Sequence, residues 1–278
     1  MNKFKIITAI VISLVLVVSL FFIFSSRNKE NTDNYEENTK IANILGKEEL
    51  IVGFDDAFPP MGFRDESGEI VGFDIDLAKE AGKRLGIEMK FKPVVWDTVI
   101  LSLNNKDIDI IWSGMTITEE RKSKILFSIP YFKGEDIFIV KKDSEIKTID
   151  DLSGKSVGVQ AGSNQEEALN KSSLSKTISE IKSYETLPDM ILDLDAGRIG
   201  AVLCDNFTGF YYIEKTLRKS GEFISFGSGF ELTYTGIGIR KEDEDLKKEF
   251  DRILKEMIED DTASNISIKW FGKDLVAK

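Results

Sequence analysis

One short stretch, Ser113-Gly114-Met115-Thr116-Ile117-Thr118-Glu119-Glu120-Arg121, holds a small-residue turn, two threonine hydroxyls and an arginine. It follows Ile108 to Trp112, an apolar run with the composition of a buried strand. A strand that opens into a turn and a helix start exposes backbone N–H groups, which can hold an anion. Arg121 adds a planar, two-pronged donor that suits a carboxylate. The plainer reading is a strand end followed by a surface arginine. Three other polar groups fall at the ends of apolar runs: Asp55, Gly162-Ser163 and Asp205. In open α/β sheets, ligands bind beyond the carboxyl ends of the strands.

Composition removes whole classes of chemistry. The 278 residues contain no histidine and a single cysteine, Cys204. A Ser-His-Asp or Cys-His catalytic device cannot be assembled from this chain. A zinc site with the usual Cys and His ligands is excluded too, and no metal or cofactor is expected. A net charge of −11 argues against nonspecific nucleic-acid binding, which needs clustered Lys and Arg.

Elements that would position these residues alternate along the chain. Leu50 to Phe54 is a strand, Asp74 to Leu85 a helix with Asp74 as N-cap and Gly86 as stop, and Glu88 to Val95 extended. Asp97 to Leu103 is helical and Ile108 to Trp112 a strand, completing a β-α-β-α-β series that implies a mostly parallel sheet. The pattern restarts with Asp136 to Lys142 and continues through strands at 156–160, 178–184 and 201–203. Helices follow the second-half strands, and Thr235 to Arg240 is extended again. Leu246, Phe250, Ile253, Leu254, Met257 and Ile258 mark an amphipathic helix, and Ile266, Ile268, Trp270 and Phe271 a last short helix on the core. The pattern implies two doubly wound α/β lobes joined by a two-strand hinge at 136–142 and 235–240.

Ile6 to Phe24 is an apolar run without a charge, preceded by Lys3 and Lys5 and followed by Arg27 and Lys29. Its length just spans a bilayer core, and the basic N-terminal end stays on the cytoplasmic side. Residues 1–27 are expected to be an uncleaved membrane anchor, with a cleaved signal segment as the alternative. Residues 28–47 form a polar tether. The expected lobes are 48–135 with 229–278, and 136–228.

Some strings are decoys. Gly154-Lys155-Ser156 imitates the end of a phosphate-binding loop, but Ile149 stands where its first glycine belongs. Gly227 and Gly229 are loop glycines, and the glycosylation-like Asn206-Phe207-Thr208 is incidental.

Eight strings in order carry a resemblance: Val52 to Pro60, Gly68 to Ala78, Trp96-Asp97, Ser113 to Arg121, Phe127 to Tyr131, Asp151 to Gly162, Ala201 to Asp205 and Lys269 to Gly272. Together, over about residues 48–272, they resemble the extracytoplasmic solute-binding proteins of polar amino-acid ABC transporters. The resemblance implies a type II periplasmic-binding-protein fold, no enzymatic activity, and closure of two lobes on one free amino acid. It also implies delivery to a membrane permease and its ATPase, on the outer face of the cytoplasmic membrane.

By the same resemblance, Arg121 pairs with the ligand α-carboxylate, helped by backbone near Gly114 and Thr116 beside Ser113. Asp205 takes the α-ammonium. Phe58 and Trp96 sandwich the ligand side chain, and Asp55 points toward its end. Gln160, Gly162, Ser163 and Asn164 supply contacts from the second lobe. Each has a structural alternative: Phe58 as a core residue held by Pro59-Pro60, Trp96 as a sheet-edge cap, Asp205 as a helix N-cap. Adjacent Asp55 and Asp56 face opposite ways in an extended stretch, and Asp55 is the inward one. Trp112 is expected in the core.

No basic residue accompanies Asp55, so the expected ligand is a neutral polar or basic amino acid rather than an acidic one. The string around Pro59-Pro60-Met61-Gly62 also looks like members linked to cystine uptake. A prephenate-type dehydratase on the same fold is the enzymatic alternative, and a sensor or adhesin role a further one.

Overall fold

The structure, a computed structural model, describes residues 46, 48–219 and 221–277. The apolar run 6–24 and the tether up to residue 45 lie outside these residues. Among the described residues, no helix is long and apolar enough to cross a membrane.

Two five-stranded sheets organise the chain as two α/β lobes. The first has the strand order Glu88–Pro93, Glu49–Phe54, Ile110–Ile111, Gly238–Ile239, Leu126–Phe127. Strand Glu49–Phe54 runs parallel to both its neighbours, and Gly238–Ile239 antiparallel to both of its own. Alternation along these strands feeds two cores, as a period of two requires. Leu50, Val52 and Ile110 pack with Phe73, Leu77, Trp112 and Phe250. Ile51 and Ile111 pack on the other face with Val99, Leu103 and Met115.

The second sheet has the order Glu180–Tyr184, Ser156–Gln160, Ala201–Asp205, Asp136–Lys141, Phe223–Gly227. Strand Asp136–Lys141 is antiparallel to both of its neighbours. Ile137 and Ile139 meet helix Leu187–Asp195 through Met190 and Ile191, while Phe138 and Val140 meet Val157, Leu169 and Leu203.

The chain passes between the sheets twice, through the antiparallel ribbon of Phe132–Gly134 and Thr233–Thr235. This corrects the hinge expected at 136–142 and 235–240. Asp136–Lys141 is buried along almost its whole length and fills both faces of the second sheet, and Gly238–Ile239 sits inside the first. Burial on both faces makes them core strands.

Two more expectations change. Helix Phe73–Leu85 is preceded by Gly72 and not capped by Asp74. Gly72 has φ 144°, and a Cβ there would lie 2.2 Å from the Met61 carbonyl oxygen, so only glycine fits. Asp74 is instead drawn inside, fully buried. Ile268 turns outward from helix Thr262–Phe271 and is 49% exposed. The helix after Asp205 is α-helical only over Asn206–Tyr211 and continues as a π-turn, Tyr212–Leu217. The Gly86 stop is observed, in the left-handed conformation.

Candidate functional site

A cavity lies between the two sheets, at the carboxyl ends of their parallel strands. From the first lobe it is lined by Asp55, Phe58, Trp96, Ser113, Gly114 and Thr116. From the second it is lined by Gln160, Ser163, Asn164 and Asp205. Arg121 and Gly162 stand at its edge and line the adjoining depression instead.

The loop after Ile110–Ile111 is shaped by Gly114, whose φ of 58° leaves room for the Phe58 ring; a Cβ there would lie 2.9 Å from that ring. The Gly114 N–H donates to Asp74 Oδ2 at 2.5 Å, and the Tyr131 hydroxyl donates to Asp74 Oδ1 at 2.9 Å. The Gly114 amide is thus occupied by Asp74 and is not open to a ligand. Burial pushes the Asp74 carboxyl up to about 7. Ser113 Oγ accepts the Asp55 N–H at 3.0 Å, tying the ends of two neighbouring strands together.

Asp55 is 7% exposed, whereas Asp56 faces solvent and pairs with Arg64 at 2.8 Å. Asp55 Oδ1 accepts the Ala57 N–H at 2.9 Å, and Oδ2 accepts Gln160 Nε2 from the second lobe at 2.7 Å. Burial raises the Asp55 pKa, and these two donors oppose the rise.

Thr116 forms an isolated antiparallel bridge with Thr235 beside the ribbon. The flanking bonds run from Ile117 N–H to the Tyr234 carbonyl and from Gly236 N–H to the Met115 carbonyl. Thr116's own N–H and C=O therefore face the opposite edge. There Arg121 Nη1 donates to the Thr116 carbonyl at 2.9 Å. Arg121 Nη2 reaches across to the Gly162 carbonyl, also at 2.9 Å, and Thr116 Oγ1 donates to Asn164 Oδ1 at 2.9 Å. The guanidinium lies 5.8 Å from the centre of the Trp96 ring. Arg121 is 7% exposed, and burial lowers its pKa to about 10, which keeps it cationic at neutral pH. Among the described residues it makes no ion pair.

Asp205 Oδ1 caps the helix that follows, accepting the Phe207 and Thr208 N–H groups at 2.9 and 3.0 Å. The capping alternative is therefore real, and it engages Oδ1. Ser163 Oγ likewise caps helix Asn164–Lys171 by accepting the Glu166 N–H at 3.1 Å. Trp112 is fully buried between Tyr131 and Phe250.

Met61, part of the string singled out in the sequence, lines the cavity, and sequence reasoning missed Asp136 and Asp74, which stand behind the lining. Asp136 is 4% exposed and lies directly across the strand pair from Asp205. It accepts Asn164 Nδ2 at 3.1 Å and Gln165 Nε2 at 2.7 Å. Burial is the main cause that raises its carboxyl to about 6, with Asp205 adding to the rise. Its signal was available as the one charged residue opening the apolar run Ile137 to Val140. Cys204 is buried and its thiol pKa is pushed well up, chiefly by burial.

Comparison with known proteins agrees with this architecture. The profile of bacterial extracellular solute-binding proteins, family 3, matches residues 50–273. The L-cystine-binding protein TcyJ of Escherichia coli (strain K12) is 37% identical over 228 residues, covering 81% of this chain and 84% of that protein. The histidine-binding periplasmic protein of the same strain is 36% identical over 234 residues, covering 81% and 88%. A histidine-bound ABC uptake transporter substrate-binding protein from Streptococcus pneumoniae superposes with a TM-score of 0.81 at 33% identity, covering 88% of this chain and 98% of that one. With its two lobes, its connecting ribbon and its cavity between strand ends, the chain belongs to the bacterial extracellular solute-binding proteins of family 3.

Proposed function

We propose that this chain captures one free amino acid between its lobes and hands it to the permease and ATPase of an ABC importer. The observation that carries the reading is a charge complement. Arg121, buried and, among the described residues, without an ion pair, stands at one edge of the cavity, and the Asp205 carboxylate lines the other side. A buried charge without a partner costs several kcal/mol, so each awaits an opposite charge. A zwitterion supplies both at once, and it would bridge the lobes and favour closure.

Arg121 and the outward N–H of Thr116 receive the α-carboxylate, and Asp205 the α-ammonium. Phe58 and Trp96 flank the side chain, and Asp55 with Gln160 forms the far end. The acidic lining favours a neutral polar or basic side chain. Similarity to TcyJ supports cystine as the alternative ligand. No enzymatic step is proposed: the curated relatives are amino-acid-binding proteins.

In this reading residues 48–135 with 229–278 form one lobe and 136–228 the other. The binding unit is held outside the cytoplasmic membrane by the apolar run 6–24. Calorimetric titration of ligand-stripped protein against the common amino acids and cystine tests the proposal. One selective, tight ligand supports it; silence across the panel from folded protein sinks it.

A further inference from the structure

Asp205 and Asp136 are register partners on antiparallel strands Ala201–Asp205 and Asp136–Lys141. The Asn206 N–H bonds the Glu135 carbonyl at 3.2 Å just beyond the pair, so the two aspartates form a non-hydrogen-bonded pair, the closer kind. Their side chains therefore share one face. Like charges directly opposite on a sheet are destabilising, and burial enlarges the cost. Among the described residues neither carboxylate has an ion pair. Asp205 has two backbone N–H donors, and Asp136 has two side-chain amides from Asn164 and Gln165.

The other groups facing Asp136 do not offset the repulsion. Strand Ala201–Asp205 brings no other titratable group to this face, since the buried Cys204 thiol lies on the opposite one with Ile137 and Ile139. Strand Phe223–Gly227 carries no charged residue, and helix Asn164–Lys171 presents the two amides. Glu135 points out to solvent, where it accepts Asn206 Nδ2 at 2.9 Å. Asn164 also takes the Thr116 hydroxyl from the first lobe, so Asp136 lies one residue away from the contact that joins the lobes.

Resting on the amino-acid reading above, we infer that Asp136 is a second carboxylate of the ammonium site, paired with Asp205, and that ligand binding displaces a proton from this pair. A bound ammonium cancels the repulsion and draws both groups into the ionised form. Two interacting carboxylates lose their protons as a unit, so the displaced proton belongs to the pair. The raised Asp136 pKa, about 6, places the effect in a mildly acidic window. Affinity rises with pH through that window and levels off above it. Asn164 then acts as a positioning residue, passing the charge state of the pair to the closed arrangement of Thr116.

The experiment is calorimetric titration of the full chain in detergent from pH 5 to 8, in two buffers of different ionisation heat. The probes are cystine and the common L-amino acids, with histidine omitted because its own ring titrates in this window. Wild type is expected to release about half a proton per ligand at pH 6 and nearly one at pH 5, with affinity falling by up to about tenfold per pH unit below 6. Asp136→Asn should abolish most of that release and flatten the affinity profile. Gln165→Leu, which removes one donor to the ionised form, should keep the release and move its midpoint to higher pH. Identical proton release and pH profile in wild type and Asp136→Asn would overturn the inference and leave the amino-acid reading intact. If Asp136→Asn fails to fold, an unmoved midpoint in Gln165→Leu overturns it. Absence of binding by wild type at every pH overturns the amino-acid reading itself.

Discussion

Gln160 Nε2 donates to Asp55 Oδ2 at 2.7 Å across the cleft, joining residues 105 positions apart. Both are buried, and the same Gln160 amide reaches the Glu185 carbonyl at 3.2 Å. With Arg121 on the Gly162 carbonyl and Thr116 on Asn164, it is among the side-chain bonds that join the lobes at the cavity. All three use groups from the site itself, so closure and ligand capture draw on the same side chains.

Gln160→Ala should weaken closure and ligand affinity together. A hydrogen bond to a charged group contributes about 1.5–3 kcal/mol, which corresponds to a roughly ten- to hundredfold loss of affinity. Small-angle scattering of the ligand-free variant should show a more open form. Unchanged affinity and an unchanged scattering curve would remove this bond from the closing mechanism.

Arg121→Ala should cost about 2–5 kcal/mol of binding, because a carboxylate would then be buried without its partner. Circular dichroism should show the fold retained, since among the described residues the Arg121 side chain bonds two carbonyls. Full affinity in a folded variant would place the carboxylate elsewhere.

Phe58→Ala and Trp96→Ala should each weaken binding by about 1–3 kcal/mol, the usual range for aromatic contacts at a buried site. Phe58 also covers Gly114 and Trp96 lies beside Arg121, so both losses should exceed the loss of a simple surface contact. Equilibrium dialysis measures both, and no change in either would dissolve the aromatic sandwich.

Asp74→Asn should alter the pH dependence of stability. In the folded chain burial raises this carboxyl from 3.8 to about 7. The folded state therefore keeps a proton there that the unfolded chain gives up. The stability from this site is fully present below about pH 4 and is lost as the pH climbs toward 7. Urea melts of wild type and variant from pH 4 to 8 should show the wild-type loss and, for the variant, a flatter profile. Parallel profiles would mean that Asp74 does not titrate in this range.

The elements were legible because their periodicities are strong. Leu50, Val52 and Phe54 are buried as the alternating run requires, and the amphipathic helix buries Leu246, Phe250, Ile253, Leu254 and Met257. Asp55 was correctly placed inside, since only one of two adjacent aspartates can face in. What escaped was pairing between distant segments. Nothing near Asp74 in sequence announces Gly114 or Tyr131, 40 and 57 positions away, so an aspartate beside a helix start was read as its cap. Asp136 was absorbed into a supposed hinge because its partner, Asp205, is set by strand register and not by any local pattern. The occupied states of Gln160 and the Gly114 amide follow from the same cause.

The most direct test of the account is a calorimetric comparison of the best-binding amino acid with two of its derivatives, the α-carboxamide and the N-acetyl form. The first lacks the charge for Arg121, and the second the charge for Asp205. The account predicts tight binding of the zwitterion and a loss of at least about 2 kcal/mol for each derivative. Comparable affinity for all three would contradict recognition of a zwitterion by these two residues.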